Sequence, residues 1–342
     1  MKRSFLASYL GASVLLACQS PKSPSSETEN METIAGLKPV IVSDATPTDT
    51  DDPAIWVHPE NPARSLILGT DKGDTNGGLF VFNLEGELVD SLSVYPLLRP
   101  NNVDIEYGLS NDSLSIDIAV CTERGSNSIR VFSLPDMQAI DNGGIPVFTN
   151  SEQRAPMGIA LYKSEGGIQA IVSRKEGPQE GYLELLNLEL DSNGIVNAGS
   201  STLFGAFSGQ KEIEALFVDD AMGHLYYSDE NYGIRKYDLR SLKELKSFGQ
   251  NDFKEDNEGI SLAMDSTAYI LISDQQANAF NVYHRESNDF ILKFGVEALE
   301  SDGSETYIGY LNEQFPEGLF VCMSEGAVFH YYDWRDIKAL LP

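Results

Sequence analysis

Acidic residues crowd the stretch "TDTDDPAIWVHP", Thr48 to Pro59, where Asp49, Asp51 and Asp52 fall within four positions and run directly into an apolar segment. Other carboxylates stand before or within apolar runs at Asp104, Glu214, Asp256 and Glu258. Charge of one sign gathered this way repels itself unless protons or cations neutralise it, and near neutral pH hard cations are the simpler solution. Asp, Glu, Asn and Gln supply the oxygen donors that calcium takes, about six to eight at a time. The chain has only four histidines, His58, His224, His284 and His330, and no CxxC, HExxH or paired-histidine spacing. That argues against a zinc site and against a histidine-based nucleophilic triad.

Three cations, Lys72, Arg124 and Lys175, each follow an apolar run by a residue or two. Arginine grips phosphate with two parallel hydrogen bonds and lysine acts as a point charge. Any one of the three alone reads more simply as the ion-pair mate of a neighbouring carboxylate; three at one phase of a repeat point to an oxyanion. Bound metal ions beside phosphate-gripping side chains suit hydrolysis of a phosphate ester, with a metal-held water attacking phosphorus and no serine, cysteine or histidine nucleophile required.

Residues so far apart meet only if a repeat brings them together. One pattern occurs six times: an apolar run, a short polar loop and an alternating run, as in "LILGTDKGDTNGGLFVFNLEG", "DIAVCTERGSNSIRVFSLPD" and "LYYSDENYGIRKYDLRS". With Lys72, Arg124, Lys175, Glu230, Gln275 and Ser324 taken as equivalent, the separations are 52, 51, 55, 45 and 49 residues. A repeat of about 50 residues is the length of a four-stranded propeller blade. Long helical periodicity is lacking, so the expected fold is all-β, a six-bladed β-propeller. Segments such as "DDPAIWV", "NVDIEYG", "EIEALFV", "DNEGISL" and "TYIGYLN" lead into the repeats, and their polar residues should gather at one mouth of the central channel.

The first twenty residues, "MKRSFLASYLGASVLLACQS", carry Lys2 and Arg3, an apolar run and small residues at Cys18, the pattern of a secretory signal. "LLAC" resembles a bacterial lipobox, which would make Cys18 the lipid-bearing first residue; an ordinary signal peptide is the alternative. The expected organisation is a signal peptide over 1–17, a flexible Ser/Pro/Glu-rich tether over 18–36 and one propeller over 37–342. The protein would then be exported and membrane-anchored, periplasmic or on the cell surface, touching the membrane only through its lipid. It is expected to be monomeric. The formal net charge of -28 becomes -30 once Lys2 and Arg3 leave, which argues against nucleic acid or an anionic membrane surface as partner. Cys121 and Cys322 lie in apolar runs and read as unpaired core thiols. Trp56 and Trp334 read as core filling and His58 as a turn residue.

From about Val40 to Trp334 the sequence resembles the β-propeller, or alkaline, phytases. "DDPAIW" at Asp51 to Trp56 is the most specific piece, supported by "NNVDIEY", "SRKEG", "LYYSDEN", "DNEGI" and "SDQQ" in order. The resemblance implies a six-bladed propeller that binds several calcium ions and removes phosphates stepwise from phytate, myo-inositol hexakisphosphate, or other inositol phosphates. It implies calcium ligands at Asp51, Asp52, Glu214, Glu230, Asp256, Glu258, Gln275 and Asp302, with Glu214, Glu230 and Glu258 holding the ions that activate water. Lys72, Arg124 and Lys175 match the phosphate-binding cations, and Arg124 and Lys175 would hold the phosphate being cleaved. Three positions depart from the family pattern: Met157 stands where a tyrosine is usual, Tyr307 where an aspartate is expected in blade six, and Val328 where an asparagine is expected. A propeller that binds inositol phosphates with weakened catalysis, or a calcium-dependent propeller lactonase or esterase, are the alternatives.

Overall fold

The computed structural model describes residues 34–342 together with Met1; Cys18, the leader and most of the tether lie outside the described residues. Residues 34–342 form six sheets, five of them built from four consecutive or nearly consecutive strands. Blade I runs from Thr50–Trp56 to Val94–Leu97, blade II from Pro100–Ser110 to Ile145–Pro146, and blade III from Pro156–Ser164 to Val196–Ala206. Blade IV runs from Leu216–Asp219 to Lys243–Phe248 and blade V from Asn257–Met264 to Phe290–Val296. This is a six-bladed β-propeller.

The reason it closes lies at the N-terminus. Blade VI has three late strands, Ser304–Ile308, Gly318–Ser324 and Val328–Asp333, and takes its fourth from Ile41–Val42, which pairs antiparallel with the last of them. Just before it, Ile34–Leu37 lies parallel to Phe290–Val296 as a fifth strand on blade V. Ordered structure thus reaches back to residue 34, three residues into the segment expected to be tether.

Apolar side chains form six clusters, one at each junction between neighbouring blades. Alternation along a strand makes this possible, because successive side chains point to opposite faces. In blade I, Leu66 and Leu68 face blade II with Trp56, Ala119 and Phe132, while Ile67 faces blade VI with Leu319, Val321 and Phe329. Middle strands are therefore buried on both faces and read as continuous apolar runs. Trp56 is buried with Nε1 donating to Asp117 Oδ2 at 3.1 Å, and Trp334 is buried at the start of the short helix Trp334–Lys338. Cys121 and Cys322 are buried free thiols, and His58 sits in a turn, accepting from Glu60 N and Asn61 N at 3.2 Å each.

Candidate active site

The register of each blade's first two strands fixes which residues share the channel mouth. Pro53, Val103, Ile159, Leu216, Ile260 and Ser304 pair with Gly69, Cys121, Val172, Tyr227, Ile272 and Cys322. Two positions before the first set stand Asp51, Asn101, Met157, Glu214, Glu258 and Asp302, the first ring. Three positions after the second set stand Lys72, Arg124, Lys175, Glu230, Gln275 and Glu325, the second ring. A hydroxyl just after the paired residue fastens the first ring in four blades. Thr122 donates to Met157 O at 2.6 Å, Ser173 to Ile213 O at 2.6 Å, Ser228 to Glu258 O at 2.8 Å and Ser273 to Ser301 O at 2.8 Å. Each bond ties one blade's middle strand to the next blade's inner strand or to the residues that lead into it.

Side chains of the two rings touch. Asn101 Nδ2 donates to Asp51 Oδ2 at 2.6 Å and also to Glu214 Oε1, so two carboxylates separated by 163 positions share one amide. Arg124 donates to Asn101 Oδ1 and reaches Met157 Sδ, and its Nε is buried without a partner. Lys72 Nζ lies 2.7 Å from Asp51 Oδ1 and 2.7 Å from Asp302 Oδ2, and Gln275 Nε2 donates to Asp302 Oδ1. Lys175 pairs with Glu212. Lys211 Nζ stands 2.6 Å from Glu230 Oε2, 2.9 Å from Asp256 Oδ2 and 3.9 Å from Glu258 Oε1.

Among the described residues, two groups of carboxylate oxygens come close enough to share an ion: Glu212, Glu214 and Glu230, and Glu230, Asp256 and Glu258. Glu230 belongs to both. Glu230 Oε1 and Glu258 Oε2 are buried and accept no hydrogen bond. A buried acceptor left unmade is costly, and a cation removes the cost. The donors are all oxygen, which fits a hard divalent ion, and in this structure the Lys211 ammonium lies among them. Burial, with the charges of Glu230, Glu214 and Asp302 adding to it, pushes the Glu258 carboxyl well above the usual range. Burial likewise pushes Glu230 up to about 8, against the opposing pull of Lys211. Burial raises Asp51 too, opposed by Lys72. Burial works against the charge of Lys72, but Asp51 and Asp302 overcome it and hold its pKa above the ordinary value.

The phytase family profile matches residues 4–329. The chain belongs to the phytase family. It is 28% identical over 298 residues to a 3-phytase of Bacillus subtilis (strain 168), covering 79% of this chain and 73% of that relative. Membership makes the protein a phosphate-ester hydrolase of the phytase class.

Against this phytase's geometry, several expectations from the repeat need correction. In blade VI the first-ring residue is Asp302 and its loop counterpart is Glu325, rather than a residue of "TYIGYLN" and Ser324. Tyr307 lies five residues further along the inner strand and lines a cavity with Asp104 and Glu106, so it replaces no carboxylate of the ring. Asp104 is in that same cavity, and Asn101 takes its place in the ring. Asp52 turns away: its Oδ2 accepts from Val103 N at 3.1 Å and joins blades I and II. Lys72 is held between two carboxylates, whereas Arg124 has only neutral side-chain partners. Met157 does occupy a first-ring position and is buried. Val328 opens the last strand of blade VI, and its carbonyl accepts from Thr50 Oγ1 at 3.4 Å. Sequence reasoning missed Asn101, Lys211 and Glu212. The first was readable from its phase in "PNNVD"; the other two lie in the blade III to blade IV connection, where the repeat gives no phase.

Proposed function

We propose that the protein releases inorganic phosphate from phytate and that calcium, held by Glu212, Glu214, Glu230, Asp256 and Glu258, is required. The observation carrying this reading is the pairing of buried, unpartnered carboxylate oxygens on Glu230 and Glu258 with a guanidinium, Arg124, that no carboxylate neutralises. Calcium bound there supplies charge against the phosphate oxygens and lowers the pKa of a coordinated water. The 3-phytase relative and the family match support phytate as the substrate class.

The chain's own residues then divide the work. Arg124 offers a phosphate two parallel N–H donors, and Asn101 and Met157 hold it in place without spending its charge. Lys175, half-exposed beside Glu212, turns to the same phosphate. Asn101 fixes Asp51 and Glu214 relative to one another, and Lys72 fixes Asp51 relative to Asp302 across the blade I and blade VI seam. Glu230, Asp256 and Glu258, which share the Lys211 ammonium here, would hold the divalent ion in its place, and the ion would supply two charges where the ammonium supplies one.

A second reading, binding of inositol phosphates without turnover, rests on Met157, whose thioether gives a phosphate no hydroxyl beside Arg124. One assay separates the two. Purified protein is given phytate from neutral to alkaline pH with calcium, then with a chelator, while phosphate release and thermal midpoint are followed together. Calcium-dependent release supports the main reading; a calcium-dependent rise in midpoint with no release would favour the second; neither would defeat both.

A further inference from the structure

Directly before each second-ring residue stands a buried polar side chain: Asp71, Glu123, Arg174, Asp229, Asp274 and Ser324. In five blades it accepts a hydrogen bond from the main chain that leads into the same blade. The donors are Thr48 N at 2.7 Å, Leu98 N at 2.9 Å, Ser208 N at 2.9 Å, Lys254 N at 2.9 Å and Leu299 N at 3.0 Å. Each bond clasps a lead-in segment to the turn that carries the ring residue. Blade III inverts the polarity: Arg174 donates, from Nη1 to Ser151 Oγ at 3.1 Å and Gln153 O at 3.3 Å, and from Nη2 to Gly181 O at 2.7 Å.

The inversion is costly. Asp229 meets Arg235 at 2.7 Å and Asp274 meets Lys293, whereas the hydrogen-bond partners of Arg174 are all neutral and its Nε is buried with none. A buried charge without a counterion is destabilising, and burial draws the Arg174 pKa below its ordinary value, with Tyr182 and Glu184 opposing. Aromatic faces offset part of the cost: the guanidinium lies 4.5 Å from the ring centre of Phe148 and 5.8 Å from that of Tyr182. What arginine adds over a carboxylate is reach. It holds both ends of the loop 175–180, and a Cβ on Gly177 would lie 2.5 Å from its Nε, so the loop folds back onto it. Tyr182 completes the hold. Its hydroxyl donates to Lys175 O at 3.1 Å, and its ring lies 4.3 Å from that of Phe207, which opens the connection bearing Glu212, the partner of Lys175.

We propose that Arg174 is a positioning residue for this site: by clasping the loop it fixes the point from which Lys175 reaches the substrate phosphate. The proposal rests on the functional reading above, in which Lys175 takes that phosphate. Arg174 is 1% exposed and touches no substrate itself. Lysine carries its charge on a flexible four-carbon stem, so the place of the ammonium depends on how firmly its backbone is held. Here Lys175 N donates to Ala155 O at 2.8 Å while Lys175 O accepts from Tyr182, and Arg174 binds the chain on both sides of that pair. With the clasp gone the loop loses its anchor, and a displacement of about 1 Å at a phosphate-gripping group is enough to slow the reaction severalfold.

The test is a double-mutant cycle between Arg174→Met and Lys175→Ala, read as kcat/KM for phytate with calcium present and as equilibrium phytate binding. Methionine keeps most of the apolar bulk and removes the charge and the donors. Arg174→Met should lower kcat/KM about tenfold beside an intact Lys175, and by less than about twofold in the Lys175→Ala background. An equal loss in both backgrounds would give Arg174 a structural role only and overturn the proposal, as would unchanged kcat/KM in folded Arg174→Met. If Arg174→Met does not fold, Tyr182→Phe decides. Lacking only the bond to Lys175 O, it should lose about threefold with Lys175 present and nothing without it; equal losses, or none, overturn the proposal. Absence of phosphate release by the wild type would defeat the functional reading alone, because phytate binding then carries the same cycle. Absence of both release and binding would defeat the two together.

Discussion

Both mouths of the channel are acidic, yet they solve the problem of buried charge in opposite ways. The inner strands run the same way around the axis, so their first residues form the ring at one mouth and their later residues line a cavity of about 370 Å³ at the other. That second mouth holds Asp104, Glu106, Asp220 and Glu305 among Ile55, Val57, Phe217, Leu262 and Tyr307. There the backbone satisfies the carboxylates: Asp104 accepts from Leu161 N at 2.7 Å, Asp220 from Lys163 N at 2.9 Å and Glu305 from Thr306 N at 2.7 Å. Two of these bonds join neighbouring blades. At the ring, by contrast, carboxylates meet Asn101, Lys72 and Lys211, and two buried oxygens meet nothing. Counting charges does not distinguish the two mouths. The kind of partner does: main-chain donors mark a carboxylate used as a fastener, and idle oxygens mark one kept for a ligand.

Substitution at each mouth gives the largest contrast. Glu214→Gln should lower phytate turnover on the order of a hundredfold without unfolding the protein, while Glu305→Gln should leave turnover within about threefold. Equal losses in the two variants, measured as initial phosphate release, would remove the distinction.

The two mouths should also separate by pH. Burial raises Glu230 and Glu305 each to about 8, with neighbouring charges modifying the value. An unfolded glutamate titrates near about 4.4. Between those values the folded protein keeps protons the unfolded chain has lost, so this contribution to stability is full at low pH and is lost as pH rises through about 8. Without metal, the thermal midpoint should therefore fall by several degrees from about pH 5 to about pH 8.5. Calcium should cancel the part due to Glu230 and leave the part due to Glu305, which Glu305→Gln alone removes. A metal-free midpoint that is flat or rising across this range would count against the buried carboxylates. The smallest effect concerns the ammonium among the ring carboxylates. Lys211→Ala should lower the calcium concentration at half-maximal thermal stabilisation about threefold, since no ammonium then competes for Glu230 and Asp256. A higher requirement would make Lys211 a supporter of the ion rather than its competitor.

The repeat made the propeller and most of the ring legible, because each ring position has a fixed phase relative to a buried strand. Blade VI was misread for a physical reason. "TYIGYLN" has the apolar content of an inner strand, but the strand is Ser304–Ile308 and the ring residue precedes it in "SDGSE". The readable signal was the residue after the ring position, which passes close to the next blade. A Cβ on Gly158 would lie 1.9 Å from Glu214 O, on Gly259 2.9 Å from Asp302 O and on Gly303 2.6 Å from Asp52 Cα. Met-Gly, Glu-Gly and Asp-Gly thus mark one phase in blades III, V and VI. Lys211 carried no such mark: its role depends on how a connection folds over the mouth, which no local pattern encodes. The strand Ile41–Val42 was equally hidden, as two residues with no periodicity of their own.

That borrowed strand gives closure a place in the life of the chain. A ribosome makes Ile41 first and its partner Tyr331 only 290 positions later. Until then Ile41 has no partner strand, and blade VI lacks the pairing that completes it. A polypeptide clipped before Val328–Asp333 therefore carries most of the acidic residues of the mouth but lacks the strand against which Ile41–Val42 closes blade VI.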